Sequence, residues 1–360
     1  NALLCARDRS SPMVALPNAA GAAAAAAATA LPRMGLGMAA LGRPGYINLD
    51  RTSTFGSKDV RDVEAMQTRA NAVMEAVMDA KGPVRPWFDC ARSYGLSEKF
   101  VGEFLRGQGV APDAVHVSSK WGYTYVADWR VELGEGDPHE VKDHSVENFL
   151  KQVEETAEHL GEYVDLYQVH SATFESGILT DSRVHEALAK CRRERGWSIG
   201  LSVSGPNQDQ ILREAMKITV RGGEGEEAVR LFDSVQCTYN VLEQRPGEAL
   251  EEARAAGMDI IIKEGLANGR VLCNEKFLSI SGAAGYKPDT LALGCILAQG
   301  FEPRVLSGGV TKEQLESNFR ALEAAEQLRG KDASVLEEVM ETCRIDSEEY
   351  WRDRSALKWN

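Results

Sequence analysis

Eight short apolar runs, each followed by a longer amphipathic segment, dominate the chain from Met34 onward. Their length and their β-branched residues are typical of buried strands. Between two of them, Val146, Phe149 and Val153 recur at the spacing of one helix face. Eight strand–helix units with no dividing linker predict one α/β domain, a (β/α)8 TIM barrel with insertions, and an open doubly wound sheet is the alternative. The runs are MGLGMAALG (34–42), VRPWFD (84–89), AVHVSSK (114–120), VDLYQVH (164–170), SIGLSVS (198–204), FDSVQCT (232–238), MDIIIK (258–263) and PRVLSG (303–308).

Two intervals between these runs are longer than a connecting helix requires, namely 121–143 and 264–286. In a barrel both would follow a strand, so they are predicted to lie at the C-terminal face and to cover a substrate. The barrel is expected to span 34–330, and 331–360 is expected to form a helical tail packed on it.

The N-terminal residues 1–33 differ from the rest of the chain, with one acidic residue, Asp8, and an Ala-rich run from 21 to 30. Such composition resembles an organelle transit segment or a disordered leader, and an ordinary Ala-rich tail is the alternative. A transit segment would place the protein in a plastid or another organelle interior. Otherwise a cytoplasmic location is expected.

Charge and cysteine content limit the classes of ligand. The net charge of −13 argues against nucleic acid or an anionic membrane as the main partner, so small molecules are the expected ligands. The seven cysteines form no CxxC pair and show no zinc-ligand spacing, so no metal site is expected and a reducing compartment is favoured.

Polar side chains stand where three successive predicted strands end. Asp89 ends the second run, Lys120 the third and His170 the fourth, and Tyr94 follows Asp89 by five residues. Because parallel barrel strands end at one face, these four side chains are predicted to converge there. An Asp–Lys pair at that place would compensate two charges that are costly to bury.

The residue types indicate the chemistry. A tyrosine hydroxyl with its ordinary pKa of about 10 becomes a better acid beside a cation, and Lys120 is expected to supply that cation while Asp89 orients it. His170 is expected to hydrogen-bond the oxygen of a carbonyl substrate. Such a site can protonate a carbonyl as a hydride reaches its carbon, and the hydride must come from a cofactor because no side chain supplies one.

These motifs resemble the signatures of the aldo-keto reductases, in that family's order. They are Phe88-Asp89-x-Ala91-x-x-Tyr94-Gly95-x-Ser97-Glu98, Ser119-Lys120-x-Gly122 and Asp165-Leu166-x-x-x-His170, and the similarity runs from about Gly35 to Leu322. The resemblance implies a nicotinamide-dependent carbonyl reductase in which Tyr94 donates the proton and Asp89, Lys120 and His170 complete a tetrad. A carbonyl or alcohol of small size is the implied partner.

The segment from Val305 to Asn318 resembles the family's dinucleotide phosphate loop and the helix after it. The implied cofactor contacts are Gly308, Gly309, Thr311, Gln314 and Asn318. Val310 and Gln314 occupy positions where many relatives have the arginine that holds the 2′-phosphate of NADP. NADP(H) is the expected cofactor, with NAD(H) as the alternative.

The nicotinamide pocket is expected to depart from the family pattern. Ser202 and Gln236 match residues that hydrogen-bond the carboxamide, but the asparagine that usually follows the serine is Val203. Lys263 stands where the resemblance implies a stacking tyrosine. Lys263 is expected either to lie near the nicotinamide or to pair with Glu264.

The aromatic run after Lys120 suggests the substrate side of the site. Trp121, Tyr123 and Trp129 are candidate substrate contacts for a flat or apolar carbonyl, although the rings could equally pack the loop itself. A second hypothesis keeps the barrel and its cofactor but assigns a redox-sensing regulatory or accessory subunit with little turnover, because of the departures at Val203, Lys263 and Val310.

Overall fold

The fold is taken from a computed structural model, which describes residues 31–49, 52–57, 60–80, 85–221 and 227–360. The leader predicted for 1–33 lies almost entirely outside these residues, so it stays a prediction. No helix in the described part of the chain is long and apolar enough to cross a membrane.

Eight parallel strands close into a barrel, as predicted, and the doubly wound alternative is wrong. The strands are β1 Met34–Gly37, β2 Trp87–Asp89, β3 His116–Trp121, β4 Tyr123–Tyr125, β5 Glu140–Lys142, β6 Val164–Ala172, β7 Ser198–Val203, β8 Thr219–Arg221, β9 Ala228–Arg230, β10 Ser234–Thr238, β11 Asp259–Lys263 and β12 Arg304–Ser307. Neighbouring strands follow in the order β1-β12-β11-β10-β7-β6-β3-β2, and the barrel closes because β1 pairs with both β12 and β2. Two antiparallel hairpins, β4-β5 and β8-β9, lie outside it.

Each barrel strand lies within or close to its predicted run. The first is shorter than expected, because Met38–Ala40 turn into a 3-10 helix directly after Gly37. The α-helices are α1 Thr52–Phe55, α2 Val63–Asp79, α3 Ser97–Gly107, α4 Val146–Leu160, α5 Ser182–Arg195, α6 Gln208–Met216, α7 Gly247–Ala255, α8 Glu275–Ala284, α9 Pro288–Leu297, α10 Lys312–Phe319, α11 Ala321–Arg329, α12 Ala333–Cys343 and α13 Ser347–Ser355.

The barrel interior contains a small apolar layer and is polar where the strands end. Trp87, Leu166, Ile261 and Leu306 form a small buried cluster inside it. A Cβ on Gly35 would come within 2.3 Å of the Trp87 ring, so this position needs glycine. Above the Trp87 ring its Nε1 donates to Ser118 Oγ at 2.9 Å, and from there the interior is polar. The fold thereby delivers polar groups to the C-terminal face.

Several segments surround that face. The long interval 121–143 carries the β4-β5 hairpin, and 264–286 carries a 3-10 segment, Ala267–Cys273, followed by α8. After α13 the chain returns to the loop that follows β1, where Tyr46 N donates to Asn360 O at 3.2 Å and Asn360 N donates to Tyr46 O at 3.1 Å. The rim of the site is therefore built from both ends of the described chain.

Candidate active site

Asp89 and Lys120 form a buried ion pair at the ends of β2 and β3. Lys120 Nζ lies 2.5 Å from Asp89 Oδ2 and also donates to the Cys90 carbonyl at 2.9 Å. Ser118 donates to Asp89 Oδ1 at 2.7 Å, and Gln236 does so at 3.2 Å. A buried carboxylate is tolerated where a cation and hydrogen bonds replace its water, and Asp89 has both.

Tyr94 lies above this pair and lines a cavity. Its ring centroid is 4.9 Å from Lys120 Nζ. Burial, and after it the Asp89 carboxylate, raises the pKa of Tyr94 well above its ordinary value. The expected net lowering of this pKa is not met, because burial, and after it the Asp89 carboxylate, outweighs the nearby positive charge. At neutral pH the hydroxyl of Tyr94 is a neutral phenol that carries its proton.

His170 lies near the end of β6, the strand that pairs with β3. Its ring stands edge-on to that of Tyr94, with centroids 5.5 Å apart and planes at 86°, and Nδ1 is 3.4 Å from Ser93 Oγ. Burial lowers the pKa of His170 well below its ordinary value, and the charge of Lys120 adds to this effect. The imidazole is therefore neutral and can donate one hydrogen bond. The structure thus brings all four predicted tetrad residues together.

An arginine that sequence reasoning missed lies beside the Tyr94 ring. The Arg43 guanidinium carbon lies 5.2 Å from the Tyr94 ring centroid and 4.6 Å from that of Trp359. Arg43 donates to Ser93 O at 2.7 Å and to Glu140 at 2.9 Å. A guanidinium this close stabilises negative charge on the phenol oxygen.

A buried histidine supports the backbone beside His170. His144 Nε2 lies 2.9 Å from the carbonyl oxygen of His170, and burial lowers the pKa of His144 to about 4. Gly122, with a φ of +106°, passes so close that a Cβ there would lie 2.3 Å from the His144 ring. The close approach to the His144 ring therefore explains why the residue after Trp121 is a glycine.

A cavity of about 600 Å³ extends from Asp89 and Tyr94 toward the segment that follows β12. Its exposed wall is more apolar than polar, with polar groups interspersed, which is typical of a cofactor or ligand site. Several residues predicted to bind a cofactor line it, and they are Gln236, Lys263, Gly308, Gly309, Gln314 and Asn318. Of the two substrate-covering intervals, 264–286 contributes wall residues, including Leu266, Gly269 and Leu272.

The loop after β12 fits the phosphates of a dinucleotide. A Cβ on Gly308 would meet no atom within 4 Å, so the backbone there is open to the cavity. Thr311 caps α10 by accepting from Gln314 N at 3.2 Å, and Gln314 Oε1 accepts from Val310 N at 2.9 Å. The Asn318 amide lies 2.8 Å from Ser307 Oγ. Anions are attracted to a helix start of this kind.

The residues predicted to contact the nicotinamide differ in whether they reach the cavity. Gln236 reaches the cavity and donates to Asp89. Ser202 is fully buried behind the rim, where its hydroxyl accepts from Ser171 N at 2.8 Å. Lys263 lines the cavity, and its expected alternative partner, Glu264, instead accepts from Arg354 at 2.7 Å.

Of the three aromatic substrate candidates, one lies beside the tetrad. Tyr123 has its ring centroid 5.1 Å from that of His170. Trp121 is fully buried against Phe149, with centroids 4.9 Å apart, so the structure does not bring it to the cavity. Trp129 is half-buried and donates to the carbonyl of Arg61 at 2.9 Å, which ties the loop to the segment before α2.

Comparison with known families gives one match, which covers most of the chain. The model of the Aldo/keto reductase family matches residues 33–341. No curated protein sequence matches significantly.

Solved structures with the same fold are numerous, and two illustrate the similarity. PA4992 of Pseudomonas aeruginosa, provisionally named an aldo-keto reductase, has a TM-score of 0.57 and 22% identity, over 83% of this chain and 93% of its own. The aldo-keto reductase AKR11C1 of Bacillus halodurans, in its holo form, has a TM-score of 0.60 and 21% identity, over 88% of this chain and 94% of its own. At such identities the likeness shows the fold alone.

Proposed function

Since the chain belongs to the aldo/keto reductase family, which consists generally of oxidoreductases, we propose that it reduces a small aldehyde or ketone, or oxidises the matching alcohol, with NADP(H) as cofactor. One observation carries this proposal. Tyr94, with His170 edge-on beside it, lines a cavity above a buried Asp89–Lys120 pair, and the same cavity is lined by a glycine loop at a helix start.

The proposed mechanism uses Tyr94 as the proton donor. The carbonyl oxygen lies between the Tyr94 hydroxyl and the neutral His170 ring, and both donate to it. A bound nicotinamide supplies the hydride. As Tyr94 releases its proton, the phenolate that forms is stabilised by Lys120 and Arg43, whose charges are 4.9 and 5.2 Å from the ring centroid. Asp89 holds the Lys120 ammonium in place.

A groove beside Val310 contains two cationic side chains, and these support NADP(H) over NAD(H). The groove adjoins the cavity at Val310 and is lined by Arg69 of α2 and by Thr311 and Lys312 of α10. Asp62 and Glu64 also line it, so charges of both signs are present, but the Asp62 carboxylate is engaged as the N-cap of α2, where it accepts from Ala65 N at 2.8 Å. We therefore infer that Arg69 and Lys312 hold the 2′-phosphate that the missing arginine would hold.

The test is Tyr94→Phe. This variant keeps the ring and loses only the hydroxyl, so turnover of a reducible aldehyde should fall by about 10²-fold or more, while the dissociation constant of NADPH, from tryptophan fluorescence, should change little. Tyr163→Phe is the matched control, because its hydroxyl donates to Val110 O at 2.9 Å, away from the tetrad. Undiminished turnover in Tyr94→Phe would remove Tyr94 as the donor.

The assembled tetrad argues against the accessory-subunit hypothesis. It predicts a cofactor site without working groups, whereas Asp89, Tyr94, Lys120 and His170 are assembled with each charge compensated. Tight NADPH binding by the wild type with no turnover across aldehydes, ketones and sugars would return that hypothesis.

A further inference from the structure

The side chain of Lys263 lies in the cavity at the end of β11. Its ammonium donates to Thr238 Oγ1 at 2.7 Å and to Ser204 Oγ at 2.9 Å. Both acceptors are neutral hydroxyls that stand near the ends of neighbouring strands. These hydroxyls hold the Lys263 ammonium in place, but they carry no negative charge that would compensate it.

The carboxylates near Lys263 are engaged elsewhere. Glu264 Oε1 accepts from Arg354 at 2.7 Å, and Asp89 is paired with Lys120. Within the described residues Lys263 takes part in no ion pair, while both Lys120 and Arg354 do. Burial lowers the pKa of Lys263, and the charge of Glu264 opposes that shift. Among the described residues that line the cavity, Lys263 is thus a fixed cationic side chain without an ion-pair partner.

This charge stands near the tetrad. Ser204 Oγ, which accepts from Lys263, is 3.3 Å from the hydroxyl of Ser171, the residue after His170. Tyr94 and Lys263 both line the cavity, as does the Gly308–Gly309 loop. A hydride must reach the carbon whose oxygen Tyr94 protonates, so the nicotinamide of a bound cofactor would have to lie in the part of the cavity that Tyr94 and Lys263 line.

The two redox forms of a nicotinamide differ in charge at that place. The oxidised ring is a cation and the reduced ring is neutral, while the phosphates are the same in both. We propose that Lys263 makes the site discriminate between these forms, so that the protein binds reduced cofactor more tightly than oxidised cofactor. The inference rests on the proposed function and specifies a residue for it. The same charge favours release of the oxidised cofactor. It also disfavours hydride transfer from the reduced cofactor, because the nicotinamide ring becomes positive as the hydride leaves.

The experiment measures four dissociation constants at pH 7, those of NADPH and NADP⁺ for the wild type and for Lys263→Met. We expect the wild type to bind NADPH at least about tenfold more tightly than NADP⁺, and the ratio to shrink by about tenfold in Lys263→Met, mainly through tighter NADP⁺ binding. Lys263→Arg keeps the charge and should keep the ratio. Lys190→Met removes an exposed lysine of α5, 63% exposed, and should also keep it.

Three results decide the matter. An equal affinity for both forms in the wild type overturns the inference even if no variant folds. An unchanged ratio in a folded Lys263→Met protein, verified by its thermal transition, overturns it as well. Failure of both NADP(H) and NAD(H) to bind the wild type refutes the proposed function itself, and that outcome is distinct from binding without discrimination.

Discussion

Protonation of His144 should couple the stability of the protein to pH in the mildly acidic range. The folded protein holds this imidazole neutral, with Nε2 2.9 Å from the carbonyl oxygen of His170 and a pKa lowered by burial to about 4. In the unfolded chain the pKa returns to about 6.5, so the unfolded state binds the proton first. Stability from His144 is therefore present above about pH 6.5 and is lost as the pH falls toward 4.

The magnitude follows from the two pKa values. The full difference corresponds to roughly 3 kcal/mol of unfolding free energy, and about 2 kcal/mol of it should be lost between pH 7 and pH 5. His144→Gln retains an amide donor toward His170 but cannot titrate. The variant should therefore show a change between these two pH values that is smaller by about 2 kcal/mol.

Urea denaturation followed by tryptophan fluorescence at pH 7 and pH 5 measures this difference directly. His159→Gln is the control, because His159 lies on the outer helix α4 with a partly exposed side chain. The control should retain the pH dependence of the wild type. If His144→Gln loses as much stability on acidification as the wild type does, the buried imidazole does not titrate as described.

Two further predictions concern the cofactor groove and the support of the tetrad. Arg69→Ala should weaken NADPH binding about tenfold or more and leave NADH binding unchanged, because only NADPH carries the 2′-phosphate. Parallel fluorescence titrations with the two cofactors measure this difference, and equal losses of affinity for both would contradict the role of Arg69. Gly122→Ala should lower the unfolding free energy by about 2 kcal/mol or more, because its φ is +106° and a Cβ would lie 2.3 Å from the His144 ring. Gly177→Ala is its control in urea denaturation, since Gly177 has a φ of +70° with no atom within 4 Å of a Cβ, and a cost as large as that of Gly122→Ala would show that steric contact with His144 is unimportant.

The barrel and its four central groups could be predicted because their signals are local. Each strand is one apolar run, and parallel strands place their final residues on one face, so Asp89, Lys120 and His170 could be brought together without knowledge of side-chain packing. The partners of Lys263 could not be found in this way, because Ser204 and Thr238 come from different strand ends and their hydroxyls have no sequence pattern.

Alternation along a strand explains why one aromatic candidate lies away from the cavity. In β3 successive side chains point to opposite sides, so a Lys120 that faces the barrel interior leaves Trp121 facing the surrounding helices, where it packs on Phe149. Tyr123 is the candidate that the structure brings beside His170. Arg43 was missed for a different reason, since its partner Glu140 is 97 residues away and nothing in the sequence relates them.

The pairing of Asn360 with Tyr46 affects the order in which parts of the protein fold. The loop that carries Arg43 and Tyr46 is secured by residues more than 300 positions later in the chain, and Asn360 Nδ2 also donates to Asn48 O at 2.6 Å. Contacts of such sequence separation form late, because a very long segment of chain must first be ordered. The barrel strands can therefore pair before the Tyr46–Asn360 contact has formed, while the loop that carries Arg43 is still unsecured. The proposed site would then be complete only after this long-range contact is made.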